Sequence, residues 1–328
     1  MRNTARARRW SVILQLGVIG KDIREQYMAH QDWGGVMPAL MTEMHEGGSL
    51  DLEGTARHIE FCLRGGVSGI IVLGTLGENN SLLPDEKASV MSAAVEAANG
   101  RVPVICGIAE YTVDMAISAV RMAEKSGCDG LMVLPSMVYQ QDSREAIAHF
   151  SAIANATDMP IMIYNNPVSY KLDLTPDDFV ELAKIDNIVA VKESSHDSRR
   201  MTDMINACGD RYRMFCGVDD VVLENAVCGA VGWVSGLTNP FPGESVQLFN
   251  LARAGRIDEA VAMYRWVMPV LHLDTAVKLV QYLKLANQMT GMGAEWVRPP
   301  RLPLVGEERA RIAGIVQSVL DNRPRLAA

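Results

Sequence analysis

From Gly35 onward, short apolar runs alternate with longer segments in which apolar residues recur every three or four positions. The short runs have the length of buried strands, and the longer segments have the period of amphipathic helices. The runs start 19 to 34 residues apart, about the length that one strand–helix unit needs. The eight predicted strands are Gly35–Leu40, Gly69–Leu73, Val102–Gly107, Gly130–Leu134, Pro160–Tyr164, Ile188–Lys192, Arg213–Gly217 and Gly232–Ser235.

Local signals mark where the intervening helices begin and end. Proline and acidic residues open predicted helices at Pro84 and at Thr175–Asp178, and glycines such as Gly127 end them. Eight strand–helix units in an unbroken series predict an α/β fold, a closed (β/α)8 TIM barrel. An open, doubly wound sheet is the alternative.

The two ends of the chain differ from this pattern. Residues 1–31 begin with a basic, acid-free stretch and an apolar one, without a signal-peptide cleavage site, so we expect an N-terminal extension that is disordered or loosely docked. The barrel is expected at 32–255. After about Phe241 only helical periodicity remains, near residues 243–254, 257–271, 275–289 and 306–321. We assign 256–328 to a C-terminal helical appendix.

Composition excludes several classes of function. The 328 residues carry a net charge of −8 and no basic stripe, so neither nucleic acid nor an anionic membrane is an expected partner. No apolar run has the roughly 18 to 20 residues of a membrane span. The six cysteines form no CxxC motif and the histidines show no metal-binding spacing, so we expect reduced thiols, a cytoplasmic protein and no metal.

A lysine and a tyrosine end two neighbouring predicted strands. Lys192 follows the apolar run 188–191, and Tyr164 ends the preceding strand. In a barrel both would lie at the C-terminal mouth, where chemistry collects. A desolvated, neutral lysine amine can attack a carbonyl carbon, and a nearby phenol can move the proton. The alternatives are a salt bridge from Lys192 to Glu193 and a core position for Tyr164.

Glycine-rich turns follow other strands of the predicted barrel. Gly74 and Gly77 allow a tight turn whose amides can converge on a carboxylate, and Thr75 adds a hydroxyl group. An ordinary glycine turn is equally compatible with the spacing. Glycines also follow the last two strands, at 217 and at 229–236, where backbone approaches a phosphate or a small substrate.

Four segments together resemble the dihydrodipicolinate synthase and N-acetylneuraminate lyase family. They are GTLGE at 74–78, YNNP at 164–167, VKE at 191–193 and GVDD at 217–220. The resemblance covers residues 35–304. It implies a barrel with a helical C-terminal domain, usually a homotetramer, and Schiff-base chemistry on a 2-oxo acid without metal or organic cofactor.

The same resemblance assigns roles to individual residues. Lys192 is similar to the Schiff-base lysine and Tyr164 to the general acid/base. Thr75 and the amide of Leu76, next to Gly74, resemble the catalytic, carboxylate-binding turn, and the carbonyl of Val234 resembles one that lines the pocket.

Three departures separate this chain from the synthases of that family. Leu76 replaces a second threonine, and Ser169 stands where an arginine would hold the second substrate. The tyrosine that a neighbouring subunit gives to the proton relay would fall near Met137, with Tyr139 close by. Without the tyrosine hydroxyl group in the proton relay and without the arginine, a catabolic enzyme is favoured over an enzyme of lysine biosynthesis. Ser169 could bind a hydroxyl group of the substrate.

Segments 164–170, 192–195 and 278–284 are similar to deaminases of hydroxyproline catabolism. We therefore expect a lyase or deaminase that converts 1-pyrroline-4-hydroxy-2-carboxylate to 2-oxoglutarate semialdehyde and ammonia. The alternatives are 4-hydroxy-tetrahydrodipicolinate synthase, another pyruvate-dependent aldolase, a 2-keto-3-deoxy sugar acid dehydratase, and a barrel that binds a ligand without catalysis.

Overall fold

A computed structural model describes residues 33–136 and 139–324. Within these ranges, eight parallel strands form one sheet in the order β1-β8-β7-β6-β5-β4-β3-β2. The strands are β1 (Gly35–Pro38), β2 (Ile70–Val72), β3 (Val104–Ile108), β4 (Gly130–Val133), β5 (Ile161–Asn165), β6 (Ile188–Glu193), β7 (Arg213–Cys216) and β8 (Gly232–Ser235).

The sheet closes between its first two strands. The amide of Ala39 donates to Ser235 of β8, whereas the amide of Leu40 donates to Ile71 of β2 over 2.7 Å. A parallel bridge between Ala39 and Ile71 completes the contact. Because the hydrogen bonds change partner strand here, β1 ends at Pro38 and not at Leu40 as predicted. The predicted (β/α)8 barrel is confirmed.

Helices alternate with these strands, and the two predicted to open at Pro84 and at Thr175–Asp178 begin at Pro84 and Pro176. Thr112 and Asp142 accept hydrogen bonds from amides three residues later, which satisfies donors that the first helical turn leaves free. The barrel helices are α1 (Leu52–Arg64), α2 (Pro84–Ala98), α3 (Val113–Ser126), α4 (Ser143–Ala154), α5 (Pro167–Tyr170), α6 (Pro176–Leu182), α7 (Arg199–Cys208), α8 (Val222–Val227) and α9 (Pro242–Arg253).

Three helices follow the barrel: α10 (Ile257–Asp274), α11 (Leu279–Met289) and α12 (Gly306–Asp321). Helix α11 was predicted to begin near Thr275 but begins at Leu279. Thr275 instead caps the end of α10, where its hydroxyl group donates to the carbonyl of His272. Both α10 and α11 pack against α12. The division at residue 256 stays a prediction, and the extension predicted at 1–31 lies outside the described residues.

Candidate active site

The ends of β5 and β6 bring Tyr164 and Lys192 together. The two residues are paired in the register of the parallel strands, so their side chains leave the sheet on the same side. The Lys192 Nζ lies 3.9 Å from the centre of the Tyr164 ring. Lys192 is 5% exposed and Tyr164 is 7% exposed. The amine is therefore held against an aromatic face with little water around it.

The surroundings of Lys192 change the pKa of its amine. Desolvation lowers the pKa of its amine below 10.5, while the nearby acidic groups of Asp274, Tyr170 and Asp219 oppose that shift. A lowered pKa increases the neutral, nucleophilic fraction of the amine. The alternative, an ion pair with Glu193, is not found among the described residues: the Glu193 carboxylate accepts from Asn165 Nδ2 (3.0 Å) and the Ser195 amide (2.7 Å) instead.

A glycine leaves room for the lysine side chain. A Cβ atom at Gly217 would lie 2.7 Å from Cγ and 2.9 Å from Cε of Lys192, and 2.0 Å from Oγ of Ser194. Ser194 is fully buried, so its hydroxyl group has little space to move away. The glycine predicted after the seventh strand thus serves the close approach of the Lys192 stem.

Tyr164 is protonated at neutral pH. Burial raises the pKa of its phenol to about 12. Its oxygen accepts a hydrogen bond from Asn166 Nδ2 at 3.0 Å, which leaves the phenolic hydrogen available to another acceptor. The Asn166 side chain also caps α5, because its Oδ1 accepts from the Ser169 amide at 2.9 Å. One asparagine therefore fixes the phenol and the start of the next helix.

The turn after β2 is held by a hydrogen bond and by close backbone contacts. Leu73 has a positive φ of 58°, and its carbonyl accepts from Asn79 Nδ2 at 2.9 Å. A Cβ atom at Gly77 would lie 2.9 Å from the Leu73 amide nitrogen, so this position requires glycine. Gly74 and Leu76 are buried, whereas Thr75 is half-buried. A hydrogen bond and close backbone contacts thus hold the turn that is predicted to bind a carboxylate.

Tyr170 brings a hydroxyl group to this turn that the sequence analysis did not assign. Its Oη lies 2.5 Å from Oγ1 of Thr75, and its ring meets the Tyr164 ring edge-on with centroids 5.5 Å apart. Met137, the expected relay position, lies outside the described residues. Tyr139 is exposed, and its hydroxyl group donates to Glu145 at 2.9 Å. The expectation about the neighbouring subunit's tyrosine stays a prediction. Within this chain, Tyr170 places a hydroxyl group next to Thr75.

Two acidic residues complete the surroundings of Lys192. Asp219 is fully buried and accepts hydrogen bonds from Trp233 Nε1 (2.9 Å) and the Leu237 amide (2.7 Å). Burial raises its pKa to about 6, and the donated bonds favour the ionised form, so it is a carboxylate at neutral pH. Asp274 ends α10 against Gly236, where an added Cβ would lie 2.1 Å from its Oδ1.

The pKa of Asp274 is raised as well. Desolvation, together with the negative charge of Asp219, raises it well above its usual range, which favours the protonated form of the carboxyl group. Asp274 was not predicted, because helical periodicity after the barrel indicates only which faces pack. The helical domain therefore contributes an acid to the surroundings of Lys192.

Comparison with known proteins identifies the family. The pattern of the dihydrodipicolinate synthetase family matches residues 32–319. The chain belongs to this family. Enzymes of the dihydrodipicolinate synthetase family are class I, Schiff-base-forming lyases, and the fold and the Lys192–Tyr164 pair described above agree with that chemistry.

Curated relatives in the family carry synthase names. The chain is 31% identical to 4-hydroxy-tetrahydrodipicolinate synthase 2 of Halalkalibacterium halodurans over 88% of this chain and 99% of the relative. It is 35% identical to 4-hydroxy-tetrahydrodipicolinate synthase of an Exiguobacterium species over 83% and 92% of the respective chains.

Solved structures of family members share the fold. A dihydrodipicolinate synthase of Bacillus anthracis superposes with a TM-score of 0.84 at 29% identity, covering 90% of this chain and 99% of that one. YagE of E. coli K12, solved in complex with pyruvate, superposes with a TM-score of 0.83 at 26% identity, covering 88% and 99%.

Two other predicted site residues have contrasting places in this dihydrodipicolinate synthetase family member. Val234 is buried in β8 opposite Met37 of β1. Ser169 lies in the short helix α5 and is exposed, so its side chain is available to solvent. Their substrate-binding roles stay predictions.

Residues 33–136 and 139–324 contain no cluster of three or more histidine, cysteine or acidic side chains able to hold a metal ion. Over the same described residues, no helix has the length and apolar character of a membrane span.

Proposed function

We propose that this protein is a Schiff-base deaminase that converts 1-pyrroline-4-hydroxy-2-carboxylate to 2-oxoglutarate semialdehyde and ammonia. The observation that carries the proposal is the Lys192 amine, its pKa lowered by burial, held 3.9 Å from the ring centre of a protonated Tyr164. Ser169 in place of the synthases' arginine, and the raised pKa of Asp274, favour elimination from one small substrate over condensation of two substrates.

The first half of the reaction opens the ring. The substrate's carboxylate binds at the turn after Gly74, where fixed donors hold C2 near Lys192. The neutral amine of Lys192 adds to C2, and the C2–N1 bond breaks as the ring nitrogen takes up a proton and leaves as a primary amine on C5. The product is a Schiff base between Lys192 and C2 of the opened chain.

The second half removes the hydroxyl and amino groups. The protonated Schiff base acidifies C3, whose proton passes to a base assisted by Tyr164. The 4-hydroxyl group then leaves as water, and the raised pKa of Asp274 suits this residue to donate the proton. Proton transfer moves the double bond to the amine carbon, hydrolysis at C5 releases ammonia, and hydrolysis at C2 frees Lys192. One water molecule is consumed overall.

An ammonia-release assay tests the proposal. Purified protein is incubated separately with the cyclic imine, with 2-keto-3-deoxy sugar acids, and with pyruvate plus an aldehyde. We expect ammonia from the cyclic imine alone, and none with Lys192→Ala. Lys184→Ala is the matched control, because Lys184 is 70% exposed and pairs with the surface residue Glu181. No ammonia from the wild type with the imine would refute the deaminase assignment.

A second candidate function, 4-hydroxy-tetrahydrodipicolinate synthase, is supported by the names of relatives that are 29–35% identical. This candidate requires condensation of pyruvate with an aldehyde in the same assay. Condensation without ammonia release would favour the synthase.

Quaternary structure and location also stay proposals. We propose a cytoplasmic homotetramer, as the family resemblance implies. Light scattering should then give four times the chain mass of 35.9 kDa.

A further inference from the structure

We infer that Tyr170 is a positioning residue for the reaction, acting through Thr75: its phenol donates to Oγ1 and so aims the threonine's own hydrogen at the substrate. This inference rests on the proposed Schiff-base chemistry and adds a residue to it. Two contacts define the arrangement, the 2.5 Å distance between Tyr170 Oη and Thr75 Oγ1 and the edge-on packing of the Tyr170 and Tyr164 rings at 87°.

The direction of the hydrogen bond follows from the two hydroxyl groups. A phenol is a far stronger acid than an aliphatic alcohol, so in a pair of hydroxyls the phenol is the better donor and the alcohol the better acceptor. With Tyr170 donating, the Oγ1 atom of Thr75 uses a lone pair and keeps its hydrogen. Thr75 is then a donor of fixed direction beside the amides that receive the substrate's carboxylate.

Tyr170 stays protonated in this role. Burial raises the pKa of its phenol, and so does the neighbouring Tyr164, which outweighs the opposing effects of Thr75 and Lys192. A neutral phenol can donate at every pH where the enzyme's lysine reacts. Tyr170 is therefore suited to hold Thr75 in place and is poorly suited to carry a negative charge itself.

The chain fixes Tyr170 and Tyr164 relative to each other through one turn of helix. Asn166 holds the Tyr164 oxygen with its side chain, and its carbonyl accepts from the Tyr170 amide at 2.9 Å. Lys171, with a positive φ of 61°, ends the helix directly after Tyr170. Both tyrosines are thus hydrogen-bonded to Asn166, Tyr164 through its phenol and Tyr170 through its backbone amide, which links the donor at Thr75 to the acid/base at Tyr164.

Proton exchange into pyruvate tests this inference separately from the deaminase assignment. Pyruvate on a Schiff-base lysine exchanges its methyl protons with D2O through the enamine, and NMR follows the signal loss. We expect Tyr170→Phe, which keeps the ring, to lower the exchange rate at least about tenfold without lowering the melting temperature. Thr75→Val should cause a similar loss, and the double variant should be no slower than the slower single variant, because one hydrogen bond serves both.

Tyrosines away from Thr75 serve as controls. Tyr282→Phe should exchange like the wild type, since its hydroxyl group donates to Glu308 on the C-terminal helices. Tyr139→Phe should also leave exchange unchanged. A normal rate in Tyr170→Phe, fully additive losses with Thr75→Val, or a loss in Tyr139→Phe alone would each overturn the inference. No exchange by the wild type would overturn the Schiff-base chemistry and the inference together, whereas normal exchange without ammonia release would refute only the deaminase.

Discussion

Replacing Lys284 by methionine should destabilise the protein by breaking a fully buried ion pair. Lys284 of α11 donates to Glu78, the residue directly after the glycine turn, at 2.7 Å, and both side chains are 0% exposed. The lysine also donates to the carbonyl of Trp296 at 2.7 Å. The pair therefore connects the turn that carries Thr75 with the helices that follow the barrel.

The expected magnitude follows from what Glu78 keeps after the substitution. Removing one partner of a buried ion pair costs about 3–5 kcal/mol, because the other charge is left desolvated. Glu78 retains a hydrogen bond from the Arg298 amide at 3.1 Å, and the Arg301 guanidinium lies 3.7 Å away. We therefore expect the low end, about 3 kcal/mol, from Lys284→Met.

Urea unfolding monitored by circular dichroism measures the loss, with Lys278→Met as the matched control. Lys278 pairs with Glu308 at 2.6 Å in the same region, but the two side chains are 48% and 32% exposed. Exposed pairs contribute little to stability, so this variant should unfold close to the wild type. Equal losses in the two variants would refute the reasoning from burial.

Three further predictions concern the site and its support. Tyr164→Phe should lower kcat for ammonia release on the order of 10²-fold, and near-normal turnover would remove this residue from the mechanism. Gly217→Ala should lower kcat by a similar factor of about 10², because the added methyl group displaces Lys192; an unchanged rate would show that the stem tolerates the shift. Cys62 and Glu43 raise the pKa of His58 from 6.5 to about 10 against the effect of burial. The stabilisation from protonated His58 should be complete below pH 6.5 and lost as pH rises through 10. Urea unfolding at pH 7 and pH 10 should show a steeper loss for the wild type than for His58→Gln, and parallel curves would contradict this.

The residues that end individual strands could be predicted from the sequence, because they depend on the local pattern of apolar and polar positions. Lys192 ends an apolar run one strand after Tyr164, so neighbouring parallel strands bring the two residues together independently of how the helices pack. The contact of Thr75 with Tyr170 could not be predicted this way, since the two residues are 95 positions apart and meet only through the path of α5.

Asp274 was missed for a related physical reason. Its position near Lys192 depends on how α10 packs, and helical periodicity reports only which faces are apolar. The accommodation of Lys192 by Gly217 also depends on a tertiary contact between neighbouring strands. Pattern alone therefore predicts the elements and the Lys192–Tyr164 pair, whereas the residues that surround this pair require the packed structure.

Borohydride trapping tests the central claim most directly. The protein is incubated with pyruvate or the cyclic imine, reduced with borohydride and digested, and the modified peptide is sequenced by mass spectrometry. We expect a single substrate adduct on Lys192 in the wild type and none in Lys192→Ala. An adduct on another lysine, or no adduct under conditions of turnover, would contradict the assignment of Lys192 as the Schiff-base residue.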